Sequence, residues 1–300
     1  MTKELRLALI GYQVQEKYNN GTVRDEDRDL FDFLTGKGIN LHREVWNDPA
    51  VNWAAYDAVI LKSPWDYHEK HTEFLNWTDG LARQGIRAFN PAEVVRWNSD
   101  KHYLKDVYDS GFPTILTHYL EKNTTVNQEH SYFRELSTQR LVIKPCISAG
   151  AKNTLLVTPE EFPGLVPLIN TWLKEEAYMI QPFVEEILTG EWSLLFFGGK
   201  YSHSLLKTPK DRDFRVQHYL GGKVSYREAD DDLVAQAAEF VSRFAADTLY
   251  ARVDGVVIGG IFHLMELELI EPYLFLDNDP QRMENYYQAL KKRLEECLSL

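Results

Sequence analysis

RVDGVVIGGIFHLMELE, residues 252–268, is the stretch that decides the fold of this 300-residue chain. Two apolar runs flank its central pair of glycines, a pattern that predicts two antiparallel strands joined by a short turn. Residues two apart on a strand share a face. Arg252 and Asp254 therefore point to one side of the first strand, and Glu266 and Glu268 point to one side of the second.

The three carboxylates of this stretch, Asp254, Glu266 and Glu268, are predicted to hold Mg²⁺, with Mn²⁺ as an alternative ion. A carboxylate among apolar side chains is costly unless a cation or hydrogen bonds compensate it, and Mg²⁺ binds carboxylates together with substrate phosphates. The alternative is an antiparallel strand whose acids face solvent, and spacing alone does not separate the two. The apolar context and Arg252 favour the metal site. Glu271, just past the strand, is either an outer participant in the site or a solvated turn acid, and the turn acid is favoured.

The register of the two strands decides whether this cluster forms. A plain two-residue turn at Gly259-Gly260 would place Asp254 opposite Met265 and turn Glu266 and Glu268 to the other face. An odd-numbered loop of three or five residues, or a bulge, would pair Asp254 with Glu266. We predict the odd loop or the bulge.

The first hundred residues alternate strand and helix signals and predict a small parallel α/β sheet. Trp65, Asp66 and Tyr67 follow one of its strands, at the carboxyl end where such sheets bind ligands, and are predicted to line the substrate site. The segment Leu9–Gln13 lacks the repeated glycines of a dinucleotide-binding turn. The predicted elements are strands at Leu5–Ile10, Ala58–Leu61 and Arg87–Phe89 and helices at Asp27–Lys37 and Thr72–Gln84.

The rest of the chain predicts an α+β region. Its predicted helices are Lys101–Ser110, Pro163–Glu176, Asp231–Leu249 and Gln281–Cys297. Its predicted strands are Leu141–Ile143, Tyr178–Val184, Trp192–Phe197, Ser202–Leu206, Gly255–Ile258 and Ile261–Leu269.

A phosphate-binding segment is predicted where Lys144 ends a buried strand and a loop of small residues follows, with Ser148 and Gly150 in it. The lysine would neutralise phosphate oxygens while backbone N–H groups approach them. The signal is weak alone, because Lys-Pro is common at strand ends. Cys146, in the same segment, is either a reactive thiol or an inert packed cysteine, and the packed cysteine is favoured.

Tyr178–Val184 is a candidate purine slot, with a core strand as the alternative. Because Pro182 has no N–H, a donor to the purine edge must come from Phe183 or Val184. Glu191 is a candidate for the ribose hydroxyls, and the alternative is a surface acid.

Lys207 and Arg215 flank a charged loop. Two cations there would stabilise the charge that develops on transferring phosphoryl oxygens. The alternative is a solvated loop.

Composition excludes several classes of protein. Lysine and arginine number 33 against 45 acids, a net charge of −12, which gives no general attraction for nucleic acid or anionic lipid. Two cysteines are too few for a disulfide framework and suit a reducing compartment. The first apolar run is too short for a signal peptide, and no run reaches membrane-spanning length. We expect a cytoplasmic protein without nucleic-acid or membrane partners.

Taken together, these motifs resemble the ATP-grasp superfamily, in particular its amino-acid ligases such as glutathione synthetase, ribosomal-protein glutamate ligase and D-cycloserine synthetase. The resemblance runs from about Asn98 to Pro272, and the order and spacing of short motifs carry it. The motifs are Asp100-Lys101, Ile143-Lys144-Pro145, Gln181-Pro182-Phe183-Val184, Gly190-Glu191, Asp213-Phe214-Arg215, Gly221-Gly222, Arg252-Val253-Asp254 and Glu266-Leu267-Glu268.

The resemblance implies the fold and the residue roles. An N-terminal parallel α/β pre-grasp domain, residues 1–97, would precede two α+β lobes, residues 98–184 and 185–300, that enclose ATP. Lys207, Arg215 and Arg252 would be catalytic, and the three carboxylates would hold magnesium. The residues implied to bind ATP are Lys101, Lys144, Ser148, Gly150, Gln181, Phe183, Val184 and Glu191.

Three departures from the family pattern stand out. Glu268 replaces the asparagine of many relatives, which changes the local charge. The phosphate loop has one glycine, Gly150, and the segment Leu269–Tyr273 is bulkier than the usual small loop. The bulkier segment resembles the cycloserine branch, as does Ser63–Tyr67.

The implied activity is ATP-dependent ligation. A carboxylate, such as an amino acid or small acid, would become an acyl phosphate that an amine attacks to give an amide or related bond. The partners would be these two small molecules, and a homo-oligomer is compatible with the sequence. Two alternatives stay open, a small-molecule kinase and an ATP-binding module without turnover.

Overall fold

The computed structural model describes residues 5–13, 25–129, 131–149, 153–210, 222–277 and 279–298. These residues form three sheets, one parallel and two antiparallel. The predicted combination of a parallel α/β part with α+β parts is therefore confirmed. Among the described residues, no helix combines the length and apolarity that a membrane crossing requires.

The N-terminal sheet is parallel, with strand order β2-β1-β3-β4. Three of its strands were predicted; β2 was missed because His42, Arg43 and Glu44 interrupt its apolar pattern. The strands are β1 (Leu7–Gly11), β2 (Leu41–Val45), β3 (Ala58–Leu61) and β4 (Arg87–Phe89), and the helices are α1 (Glu26–Gly36) and α2 (His71–Arg83). Two short helices then lead out of this sheet, α3 (Ala92–Asn98) and α4 (Tyr103–Asp109).

The second sheet is small and antiparallel, with order β5-β8-β6-β7. Its strands are β5 (His118–Leu120), β6 (Leu141–Pro145), β7 (Leu155–Val157) and β8 (Tyr178–Pro182), and its helices are α5 (Tyr132–Glu135) and α6 (Phe162–Trp172). Apolar residues of α6 and of the strands share one buried core. Lys144 thus lies near the end of an ordered strand.

The third sheet is antiparallel, with order β11-β10-β9-β12-β13. Apolar residues of α7 and of this sheet form one hydrophobic core. Residues of α8 form another core with β9 and with β1, and this core joins the third sheet to the N-terminal sheet. The elements are β9 (Glu191–Phe197), β10 (Lys200–Thr208), β11 (Lys223–Tyr226), α7 (Asp231–Phe244), β12 (Tyr250–Ile258), β13 (Ile261–Glu268) and α8 (Pro280–Leu298).

The predicted bulge between β12 and β13 is confirmed. Ile258 pairs with Ile261 across a two-residue glycine turn, yet Asp254 pairs with Glu266 because the register shifts between Asp254 and Gly255. A Cβ on Gly255 would lie 2.3 Å from a backbone oxygen of His263, so a glycine is needed where the bulged strand approaches. The bulge returns the acids of β13 to the face that carries Asp254.

The free edge of β13 is covered by groups from the preceding domain. Asn98 donates to the carbonyl oxygen of Leu267 (2.7 Å) and accepts from the N–H of Leu269 (3.1 Å), and the Tyr103 hydroxyl accepts from the N–H of Leu267 (2.7 Å). An edge strand otherwise leaves such backbone groups unpaired. These contacts fix the backbone on both sides of Glu268.

Candidate active site

Asp254 and Glu268 are bound to one another through Arg252. The guanidinium donates to both oxygens of the buried Asp254 carboxylate, with Nη2 at 2.9 Å, and also pairs with Glu268. Its Nη1 donates to the carbonyl oxygen of Tyr273 (3.0 Å). The Ser193 hydroxyl, on the neighbouring strand β9, donates to Asp254 at 2.5 Å. One arginine therefore organises acids from β12 and β13.

Lys207 brings two more strands into the same cluster. It lies on β10, opposite Glu191 on β9. Its ammonium pairs with Glu191 and with Asp254, the latter at 3.2 Å. Lys207 and Glu191 are each 8% exposed. Neither is therefore the solvated surface charge that was the alternative prediction.

Lys101 and Lys144 approach the cluster from the other side. The Lys101 ammonium lies 3.1 Å from Glu266 and 2.9 Å from the carbonyl oxygen of Ser148. Burial lowers the pKa of Lys144, and the charge of Glu266 opposes that shift. Lys101 and Lys144 therefore face Glu266 of the third sheet, which also carries Lys207 and Arg252. We call the region between these two sets of charges the cleft.

The electrostatics of the cleft leave the carboxylates in excess. Arg252 and Lys207 outweigh the burial of Asp254 and hold its pKa at about 2. Burial raises the pKa of Glu268 to about 7, and Arg252 only partly offsets this. Burial also raises the pKa of Glu191 and raises that of Glu271 well above its usual range. Burial disfavours the ionised form of these carboxylates, and a bound cation would stabilise that form.

The donor set fits a hard divalent cation. Glu266 and Glu268 offer carboxylate oxygens on one face of a strand, and Mg²⁺ prefers such ligands together with phosphate oxygens. Both oxygens of Asp254 already accept hydrogen bonds from Arg252, Lys207 or Ser193. Asp254 would therefore share its oxygens with an ion, whereas the two glutamates have more free coordination capacity.

A small apolar cluster includes Phe183 of the predicted purine-binding segment. Phe183 and Ile187 form a small buried cluster with Val142, Leu156 and Met265 packed against it. The Phe183 N–H donates to the Arg140 carbonyl oxygen (2.8 Å), so of the two predicted edge donors Val184 is the better candidate. The contact of Met265 with this cluster was not predicted from the sequence. Met265 is the extra residue of the bulge, so it does not follow the alternation of β13.

The Gln181 side chain is tied within the protein. It is buried, and its amide nitrogen donates to the Thr117 hydroxyl at 2.9 Å. A contact between Gln181 and a nucleotide would therefore come from its backbone.

The three predicted substrate residues differ in their contacts with the cleft. Burial and then the charges of Glu271 and Glu266 raise the pKa of Tyr67 well above its usual range, so its hydroxyl lies within reach of those acids. The Trp65 indole donates to the backbone oxygen of Glu271 at 3.1 Å. Asp66 is buried and accepts the indole N–H of Trp46 at 2.7 Å.

Glu271 corrects one expectation. It was predicted to be a solvated turn acid, but burial and the charge of Glu268 act on its carboxyl. Strand β13 ends at Glu268, and the indole of Trp65 holds the backbone of Glu271 three residues later. Sequence spacing gave no sign of this, since the packing against Trp65 comes from a distant segment.

Two predicted residues cannot be placed. Gly150 and Arg215 lie outside the described residues, as do Asp211–Asp213 and Gly221 of the charged loop. Their assignments stay predictions.

Known proteins resemble this chain over most of its length. The family profile described as prokaryotic glutathione synthetase, ATP-grasp domain, matches residues 110–273, and that of the D-cycloserine synthetase DcsG N-terminal domain matches residues 7–90. The cycloserine biosynthesis protein DcsG of Streptomyces lavendulae is 27% identical over 266 residues, 83% of this chain and 87% of that protein. The glutathione synthetase of Bordetella pertussis is 22% identical, over 86% of this chain and 80% of that protein.

Solved structures agree with the sequence comparisons. The crystal structure of D-cycloserine synthetase DcsG superposes with a TM-score of 0.81 and 26% identity, covering 96% of this chain and 99% of that one. The D-alanine–D-alanine ligase from Bacillus anthracis complexed with ATP gives 0.72 at 18% identity, covering 98% of each chain, which indicates a shared fold.

Proposed function

This chain belongs to the ATP-grasp family and is an ATP-dependent carboxylate–amine ligase, and from that premise we propose its metal, its substrate class and the role of each residue. The carboxylate substrate is an amino acid or a small acid, and it is activated as an acyl phosphate. A small-molecule amine then attacks the acyl carbon, phosphate leaves, and an amide or related bond forms. Residues 1–97, 98–184 and 185–300 are the proposed domains.

The observation that carries this proposal is the cross-strand pairing of Asp254 with Glu266 and of Arg252 with Glu268. Asp254, Glu266 and Glu268 would hold Mg²⁺, or Mn²⁺ in its place. The bound ion would neutralise charge on the phosphate oxygens during transfer.

The lysines supply the other half of the phosphate site. Lys101 and Lys144 lie where they would bind ATP phosphates, with Ser148 and Gly150 in the adjoining loop. Lys207, Arg215 and Arg252 would stabilise the charge on the transferring group and the reacting carboxylate. The purine would enter the slot beside Phe183, near Gln181 and Val184, with Glu191 near the ribose.

The rim of the cleft would bind the amine. Among the described residues, no hydrogen bond or ion pair is made by the carboxylate of Glu271, and Tyr67 lies within reach of its charge. We assign Glu271 to the ammonium group of the incoming substrate, with Trp65, Asp66 and Tyr67 in the wall of that pocket. An ammonium beside a desolvated carboxylate stabilises its ionised form.

The test is ADP release from ATP and Mg²⁺ with paired amino acids, small acids and amines, followed by mass spectrometry of the products. We expect ADP release to require both substrates and to yield an adduct of their combined mass less water. Glu266→Gln should abolish release, whereas Glu239→Gln, the same change on the exposed face of α7, should not. A stable phosphorylated acid without an adduct would replace the ligase with a kinase. Tight ATP binding without ADP release across the panel would contradict both.

A further inference from the structure

A second cluster of potential metal ligands includes Asp100 and His102, the two sequence neighbours of Lys101. A carboxylate oxygen of Asp100, a ring nitrogen of His102 and the sulfur of Cys146 all lie within 4.8 Å of one another. None of the three has a role in the ligase mechanism described above. Cys146 is fully buried, whereas Asp100 and His102 are about one third exposed.

The backbone holds these three side chains in place. The N–H of Lys101 donates to the carbonyl oxygen of Cys146 at 2.9 Å, which ties the start of α4 to the end of β6. One Asp100 oxygen accepts from the N–H of His102 at 3.0 Å and lies 2.6 Å from its Nδ1. The cluster therefore rests on two ordered segments that hydrogen-bond to each other.

The carboxylate of Glu121 lies beside the other ring nitrogen of His102. The second ring nitrogen, Nε2 of His102, is 3.3 Å from Glu121. The Tyr119 ring stacks on the imidazole, with centroids 4.6 Å apart, and its hydroxyl donates to the Lys101 carbonyl oxygen. Metal-binding histidines commonly donate their other N–H to a carboxylate, which fixes the tautomer and the ring orientation.

We propose that Asp100, His102 and Cys146 form a binding site for a thiophilic divalent cation of the zinc class. The ligands would be one Asp100 oxygen, Nδ1 of His102 and the Cys146 thiolate, with Glu121 orienting the imidazole. One oxygen, one nitrogen and one sulfur suit Zn²⁺ or Co²⁺ and do not suit Mg²⁺, which prefers oxygen. The thiol proton leaves for solvent as the sulfur–metal bond forms.

The surface provides a route to this site. Asp100, His102 and Glu121 line a recess together with Trp97 and Asp106. Tyr103 and Lys105 complete the lining, and the buried sulfur of Cys146 lies within 4.8 Å of the ligand atoms of Asp100 and His102. The site is chemically distinct from the cleft, where every candidate ligand is a carboxylate.

The test is a Co²⁺ titration of the full chain in saturating Mg²⁺, which occupies the carboxylate site and does not bind thiolate. A sulfur-to-cobalt charge-transfer absorption should appear and saturate at one equivalent. Cys146→Ser and His102→Gln should abolish the absorption, and Glu121→Gln should weaken cobalt binding roughly 10- to 100-fold. Cys297→Ser is the matched control, because it makes the same change at the other cysteine, and it should leave the spectrum unchanged.

The proposal is overturned if no sulfur absorption appears, if it survives Cys146→Ser, or if Cys297→Ser removes it. Circular dichroism of each variant shows whether it folds. Should Cys146→Ser not fold, Glu121→Gln decides the matter, since Glu121 is exposed and unchanged cobalt affinity there would count against the site.

Discussion

Two networks of charged side chains differ in whether their charges are balanced within the protein. This difference distinguishes a network that stabilises the fold from one that binds a ligand. In the first, Lys62 is 1% exposed and pairs with Glu26 at 3.0 Å and Asp27 at 3.2 Å. The N–H groups of Leu274 and Leu276 donate to the two oxygens of Glu26, at 2.8 and 2.9 Å. The Ser63 hydroxyl donates to Asp27. This network is complete within the protein, and we call it the closed network.

The cleft holds the second, open network. Among the residues that the structure describes, it contains five carboxylates and four cations. The carboxylates are those of Glu191, Asp254, Glu266, Glu268 and Glu271, and the cations are those of Lys101, Lys144, Lys207 and Arg252. Buried charges are tolerated when partners satisfy them and are costly when they do not. The closed network therefore serves the fold, whereas the open network keeps charge that a ligand must balance.

The largest effect should follow from breaking the closed network. Lys62→Met would leave the buried carboxylate of Glu26 and the partly buried one of Asp27 without their cation, and should lower the free energy of unfolding by about 3–5 kcal/mol. Chemical denaturation measures this. Lys37→Met is the control, because Lys37 forms a partly exposed pair with Glu284 and should show no resolvable change. Equal stability of the two variants would mean that the Lys62 network is not a structural element.

A substitution in the open network should reduce activity far more than stability. Glu266→Gln should lower kcat/KM for ADP formation roughly 100- to 1000-fold, about 3–4 kcal/mol of transition-state stabilisation. It should lower the free energy of unfolding by at most about 1 kcal/mol, because the Glu266 side chain is 34% exposed and its ion pair with Lys101 is partly solvated. Kinetics and denaturation of the same preparation test both parts. A variant that is active, or inactive only because it is unfolded, contradicts the distinction.

Acid should weaken the region of the closed network. His203 is buried, its Nε2 lies 3.0 Å from the Leu274 carbonyl oxygen, and burial followed by Arg282 lowers its pKa to about 4. The unfolded chain binds a proton near pH 6.5, so stability is complete above that pH. It falls as the pH drops from 6.5 towards 4, by up to about 3 kcal/mol. Unfolding at pH 7 and pH 4.5 should show a smaller difference in His203→Gln, and an identical pH slope would refute the assignment.

The smallest effect should come from the rim of the open network. Glu271→Gln should raise KM for the amine about tenfold, about 1.4 kcal/mol, and leave KM for ATP nearly unchanged, because the carboxylate is assigned to the ammonium. Initial rates against each substrate measure this. An equal rise in both constants would indicate a general role in the cleft.

The sequence predicted the features that depend on residues close together in the chain, and it missed those that depend on contacts between distant segments. An odd-numbered loop or a bulge that pairs Asp254 with Glu266 was predicted because the apolar context and Arg252 favoured a shared site over acids that face solvent, and the bulge is what the structure shows. The Lys62 network was missed because Glu26, Asp27 and Lys62 each read as a surface charge, and their pairing depends on α1 packing beside β3. The partial burial of Glu271 was not expected for the same reason, since the contact of its backbone with Trp65 comes from a distant segment.

The most direct measurement uses crystals grown with Mn²⁺ and a non-hydrolysable ATP analogue, with anomalous scattering to locate manganese. The account predicts anomalous peaks within bonding distance of Glu266 and Glu268, with Asp254 beside them and the triphosphate between the ion and Lys101 and Lys144. Manganese elsewhere, with these carboxylates still paired only to Arg252, Lys207 and Lys101, would contradict it.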